Sequence, residues 1–158
     1  RSTPLYSSAA SDVYKRQLSR HLIIDQTPEG LRIQLVDQEG RAMFAGSSAE
    51  PLPRTQRLLE AVAQVIENLP NRISISGHTD TAAPSRAGYS NWELSGDRAH
   101  AARRILEARG VDNDRIFQVT AKAASEPLYP DDADLPANRR ISVVLLREAP
   151  VMPADHAL

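Results

Sequence analysis

Apolar and polar positions alternate over "LRIQLVD", residues 31–37, with Leu31, Ile33 and Leu35 on one side and Arg32, Gln34 and Val36 on the other. A period of two predicts a strand with one buried face. Pro28, Glu29 and Gly30 supply a turn before it. In "RTQRLLEAVAQVIENL", 54–69, the period changes: Leu58, Val62, Val65, Ile66 and Leu69 recur at helical spacing. Pro70 and Asn71 end that helix. "RISIS", 72–76, and "RIFQVTA", 115–121, read as short strands. Between them a helix is predicted over 91–109, with Gly110 as its stop. Ser90 with Glu93 three residues on forms a potential capping box, and Asn91 is an equally good cap. "RRISVVLLRE", 139–148, is apolar enough for a strand covered on both faces. The order β-α-β-α-β-β implies an α/β (α+β) sandwich, a mixed sheet with helices packed on one face.

The folded signal begins near Leu22. Residues 1–20 read as a disordered or foreign leader, 21–149 as the domain and 150–158 as a flexible tail. The length of 158 residues suits one domain with a real core. A formal net charge of −1, from 19 Lys+Arg against 20 Asp+Glu, argues against a nucleic-acid partner. The absence of cysteine removes disulfides and thiolate metal sites. No run of residues is long and apolar enough for a membrane span.

One residue breaks the helical pattern. Leu94, Arg98, Ala101 and Ile105 fall within a narrow arc of the 91–109 helix, so Arg98 lies inside the apolar stripe. A buried arginine needs a partner. Asp80, just past the end of strand 72–76, stands where α/β domains place ligand sites. Two arrangements are open. Arg98 and Asp80 pair with each other or with backbone carbonyls and hold the loop, or they stand apart and face a shared zwitterion, carboxylate to arginine and ammonium to aspartate. A metal site at His78 and Asp80 is disfavoured, since His21, His100 and His156 form no motif with it. No nucleophile elbow, phosphate loop or reactive cysteine points to an enzyme. Trp92 reads as a packing residue at the helix start, and 127–137 as a solvated connection.

"ISISGHTD", "NWELSGDRA" and "NRRISVVL", in that order, resemble the motifs of the OmpA-like peptidoglycan-binding domain, across roughly residues 45–147. "TPEGLRIQLVDQEGRAMF" and "SNWELSGDRA" resemble the MotB-type, flagellar-stator branch more than the outer-membrane or Pal-type lipoprotein branches. The resemblance implies non-catalytic binding of the diaminopimelate of a peptide stem by Asp80 and Arg98. Thr79, Asn91, Leu94, Asn138 and Arg139 match other positions of the family's motifs. It further implies a homodimer, a MotA-type partner reached through a membrane segment outside this chain, a periplasmic location, and no cofactor. The runner-up within the class is the anchor of another envelope protein, a Pal-type lipoprotein or a secretion-system component. The chain departs from the family at Ala82 and Ala83, where glycine is common after the aspartate, and at Ala121, where glycine often follows the third strand. Val144 and Leu146 need cover on the far side of the last strand, from helices or from a second copy.

Overall fold

A computed structural model describes residues 21–148; the expected leader, 1–20, and the expected tail, 150–158, lie outside them. Five strands form one sheet: β1 (Leu22–Thr27), β2 (Gly30–Val36), β3 (Ile73–His78), β4 (Ile116–Ala121) and β5 (Arg140–Leu146). Their spatial order is β1-β2-β5-β3-β4. β3 and β4 run parallel and the other neighbours antiparallel. Two helices, α1 (Pro53–Ile66) and α2 (Asn91–Ala108), cover one face.

The mixed sheet with helices on one face is as the pattern predicts, with one strand more. β1 pairs with β2 through the two-residue turn Pro28–Glu29. It is an edge strand, and Ile24 is 60% exposed, so its sequence lacks the clean alternation that marks β2.

Ile33 and Leu35 from β2, Ile73 and Ile75 from β3, and Ile141, Val143 and Leu145 from β5 face the helices. Leu58, Leu59, Val62 and Ile66 of α1 and Ala99, Ala102, Ile105 and Leu106 of α2 close the core over them. Each large aliphatic side chain buried this way contributes about 1.5–3 kcal/mol. Val65 is 60% exposed and Leu69 lies beyond the last turn, half-exposed. The helical stripe of α1 is therefore narrower than its apolar sequence suggests.

The alternation that turns Ile73 and Ile75 toward the helices also turns Gly77 toward α2. A Cβ there would lie 2.0 Å from the Ser95 carbonyl oxygen, so α2 sits on bare backbone. Gly77→Ala is expected to destabilise the fold by about 3 kcal/mol, lowering the melting temperature by on the order of 10 °C. Thermal unfolding followed by circular dichroism checks this, and an unchanged melting point would show that the helix can ride outward at no cost.

Ser90, not Asn91, caps α2. Its hydroxyl accepts from the Trp92 and Glu93 amides while the Glu93 carboxylate accepts from the Ser90 amide. Trp92 does not pack at the helix start: it is 55% exposed. Among the described residues, helices cover β5 on one face only. Val144 is nevertheless buried, flanked in register by Arg32 of β2 and Ser74 of β3. Ala121, where glycine is common in the family, is the last residue of β4, and the turn after it is made by Ala123 at φ 49. It is held by its amide donating to Ser95 Oγ and its carbonyl accepting from the Thr79 amide.

Candidate binding cleft

The stripe that placed Arg98 among Leu94, Ala101 and Ile105 is correct: all four are buried. The guanidinium lies over the Phe44 ring, 4.8 Å from its centroid. Nε donates to the Ser48 carbonyl at 2.8 Å and one Nη to the Gly46 carbonyl at 2.7 Å. Arg98 thus clips the loop between β2 and α1 onto α2. Among the described residues its charge meets no carboxylate in a direct ion pair, and its Nη1 makes no hydrogen bond. Burial pulls its pKa below the usual arginine value, and the nearby Asp37 carboxylate opposes that shift.

Asp80 does not pair with Arg98. Its Oδ1 accepts from the Ala82 amide at 3.0 Å and its Oδ2 from Arg139 Nη1 at 2.6 Å. The other edge of Arg139 donates to Asp37 Oδ2 at 2.8 Å, and Asp37 Oδ1 accepts from the Met43 amide at 2.8 Å. Arg139 therefore bridges two carboxylates, one from the end of β2 and one from the end of β3. Burial pushes the Asp37 carboxyl above the usual range, against the pull of Arg139.

These groups line a cleft of about 280 Å³ at the ends of β2, β3 and β5. Asp37, Asp80, Arg98 and Arg139 all face it. Two negative and two positive groups give a lining with no net charge but strong local fields. That suits a ligand carrying both signs better than a simple ion. Leu94 and Phe44 supply its apolar wall.

Besides Asp80 and Arg98, the sequence singles out five residues: Thr79, Asn91, Leu94, Asn138 and Arg139. Thr79 lines the cleft, its hydroxyl donating to the Asp80 carbonyl at 2.8 Å. Asn91 lines it too, and its side-chain amide donates to the carbonyls of Asp80 and Ala82, tying the aspartate loop to the first turn of α2. Leu94 is part of the wall and Arg139 the bridge. Asn138 is not in the cleft. Fully buried, it accepts from the Tyr129 amide and donates to the carbonyls of Tyr129 and Asp132. It braces the long loop before β5 and so sets where Arg139 emerges. Asp37 was not singled out, although "LVD" places it where β2 ends. A strand-end carboxylate was the available signal.

His78 and Asp80 do not share a site. His78 ends β3 on the helix-free face, in register with Arg140, whereas Asp80 lies in the cleft. Among the described residues no group of three or more His, Asp or Glu could hold a metal ion. Burial, with Arg140 and Lys122 nearby, pushes the His78 ring down to about 3. An unfolded chain binds that proton near pH 6.5, so folding excludes it between the two values. The His78 contribution is fully present above pH 6.5 and is lost as pH falls toward 3, at about 1.4 kcal/mol per unit. Denaturant unfolding at pH 6.5 and pH 5 should show wild type losing about 2 kcal/mol more than His78→Gln. Equal slopes would contradict a neutral, buried ring.

The fold and the paired motifs define a class before any single relative does. The chain belongs to the OmpA family, whose model matches residues 43–140. It is homologous to motility protein B: 47% identical to that of Escherichia coli K12 over 143 residues, covering 87% of this chain and 46% of the relative. The chain thus spans less than half the length of that protein. The periplasmic domain of Helicobacter pylori MotB superposes with a TM-score of 0.73 at 20% identity, covering 86% of this chain and 88% of that one. The cell wall anchor of the T6SS from Pseudomonas aeruginosa gives a TM-score of 0.70 at 21% identity, covering 88% and 96%. At these identities the two structures establish the shared fold.

Proposed function

We propose that this domain binds peptidoglycan without modifying it, and that its cleft grips the diaminopimelate of the peptide stem. The observation that carries the reading is that Asp80 and Arg98 face one cleft without pairing to each other. Diaminopimelate presents an ammonium and a carboxylate on one carbon. The Asp80 carboxylate suits the ammonium, and the open edge of Arg98 suits the carboxylate, each through charge-assisted hydrogen bonds. Thr79, Asn91 and Leu94 shape the cleft around that pair, while Arg139 holds the Asp80 carboxylate in place and Asn138 fixes the strand from which Arg139 projects.

In the whole protein the domain would anchor a flagellar motor stator of the MotB type to the cell wall. It would be the periplasmic part of an inner-membrane protein that works with a MotA-type subunit. The kinship with motility protein B supports this, and no helix among the described residues is long and apolar enough to cross a membrane. A homodimer would present two clefts to one mesh and gain from effective concentration. Sedimentation at several concentrations reads that directly. The likeness to a secretion-system cell wall anchor supports the second reading, an anchor of a different envelope machine using the same cleft.

Co-sedimentation with isolated sacculi tests the binding. The domain should pellet with them and release no muropeptides. A domain left in the supernatant would overturn the reading, and released muropeptides would turn it into an enzyme.

A further inference from the structure

The motif "NRR" sends its two arginines to different places. Arg139 enters the cleft. Arg140, first residue of β5, projects from the helix-free face, in register with Val36 and His78. It is buried, and its hydrogen bonds all go to neutral oxygens: Nε to Gln34 Oε1 at 2.7 Å, Nη2 to the Glu126 carbonyl at 2.8 Å and Nη1 to the Asn138 carbonyl at 3.4 Å. Its cationic neighbours and the Glu126 carboxylate are engaged elsewhere: Arg32 is paired with Asp25, and Lys122 with Glu126. Among the described residues Arg140 makes no direct ion pair with a carboxylate, and Glu126 acts on it only from a distance. Desolvation and Arg32 pull its pKa down to about 10.

Beside it lies a hollow of about 110 Å³, lined by Arg140, Gln34, His78 and Ser142 among others. Because arginine only donates, the Gln34 amide must turn its oxygen to Arg140. Among the described residues its Nε2 then has no partner, although Gln34 is only 1% exposed. His78 Nδ1 is likewise buried without a partner among them, while its Nε2 is occupied by the Ser76 hydroxyl at 2.9 Å. Buried amide and ring nitrogens are normally satisfied, and a buried arginine is normally paired. One acceptor-rich anion would answer the arginine and the Gln34 amide together. Glu29 and Glu126 on the rim repel a long polyanion and leave room only for a compact one.

We propose that this hollow is a second binding site, for a small oxyanion of the carboxylate or inorganic phosphate type, held by Arg140 and the side-chain amide of Gln34. The site is separate from the cleft, on the opposite face of the sheet. The test is a nuclear magnetic resonance titration of the ¹⁵N-labelled domain with sodium acetate and, in a parallel arm, sodium phosphate, both at constant ionic strength against sodium chloride. The Gln34 side-chain amide and the Arg140 Nε–H signals should shift and saturate with at least one of the two anions, at least tenfold below the chloride concentration giving the same shift. Which anion saturates identifies the source. Gln34→Glu keeps the acceptor toward Arg140 and places a carboxylate of the protein's own in the hollow. It should weaken the response at least tenfold while retention on sacculi stays at the wild-type level. Shifts that never saturate with either anion, saturation unchanged in Gln34→Glu, or shifts confined to residues around Arg98 would each overturn the proposal. The first two outcomes leave the reading of the cleft untouched, and the third would place anion binding in the cleft instead of the hollow.

Discussion

Arg98→Ala should abolish retention on sacculi, weakening binding by at least about 100-fold, or roughly 3 kcal/mol. Two effects act together. The ligand carboxylate loses the Arg98 Nη1 group, which makes no hydrogen bond among the described residues. The Gly46 and Ser48 carbonyls lose their donor and the Phe44 ring its stacked cation, which should cost about 2–4 kcal/mol of stability. Arg98→Lys separates the two. An ammonium keeps the charge but cannot reach both loop carbonyls and a ligand carboxylate in one plane, so retention should recover little. Binding is to be measured by co-sedimentation at a temperature where thermal melts show both variants folded. Retention of folded Arg98→Ala at the wild-type level would reject the assignment of this residue.

Arg139→Ala should be the more damaging change to the fold. Arg139 is the one cation in direct contact with the Asp37 and Asp80 carboxylates among the described residues, and Asp37 has only 5% of its side chain exposed. Removing one partner from a buried charge cluster costs about 3–5 kcal/mol, because the charges left behind stay desolvated. The sign of the pH dependence follows from Asp37. Its carboxyl already sits above the usual range because of burial, and loss of Arg139 raises it further. A group whose folded pKa is raised contributes stability at low pH and loses it as pH rises. The deficit of Arg139→Ala relative to wild type should therefore shrink between pH 7 and pH 5. Adding Asp37→Asn should recover part of it at pH 7, with a coupling of about 1–3 kcal/mol. Chemical denaturation of the four proteins of this cycle checks both statements. Additive costs would show that the bridge contributes nothing beyond its separate groups.

How much of this could be read from the chain depended on how local the signal was. Arg98 was legible because three apolar neighbours at helical spacing fix its side of α2, and burial then demands an explanation. Asp80 was legible because the alternation of β3 ends just before it. The bridge was not legible: Arg139 lies 59 positions from Asp80 and 102 from Asp37, and only the sheet order brings β2, β5 and β3 side by side. Asn138 matched a family motif, but no local pattern distinguishes a brace from a ligand. Trp92 misleads for the opposite reason: a large aromatic side chain suggests packing, yet the first turn of α2 leaves it in solvent. β1 escaped because an edge strand with one exposed isoleucine lacks a period of two.

The central claim is that the cleft recognises a zwitterionic carbon through Asp80 and Arg98. Calorimetric titration of the domain with a stem tripeptide ending in meso-diaminopimelate, beside the same peptide ending in lysine, tests it most directly. Lysine keeps the side-chain ammonium and lacks the second carboxylate. The diaminopimelate peptide should bind saturably and at least about 100-fold tighter, as expected for one lost charge-assisted contact of roughly 3 kcal/mol. Equal affinity for the two peptides, or no binding of either, would contradict it.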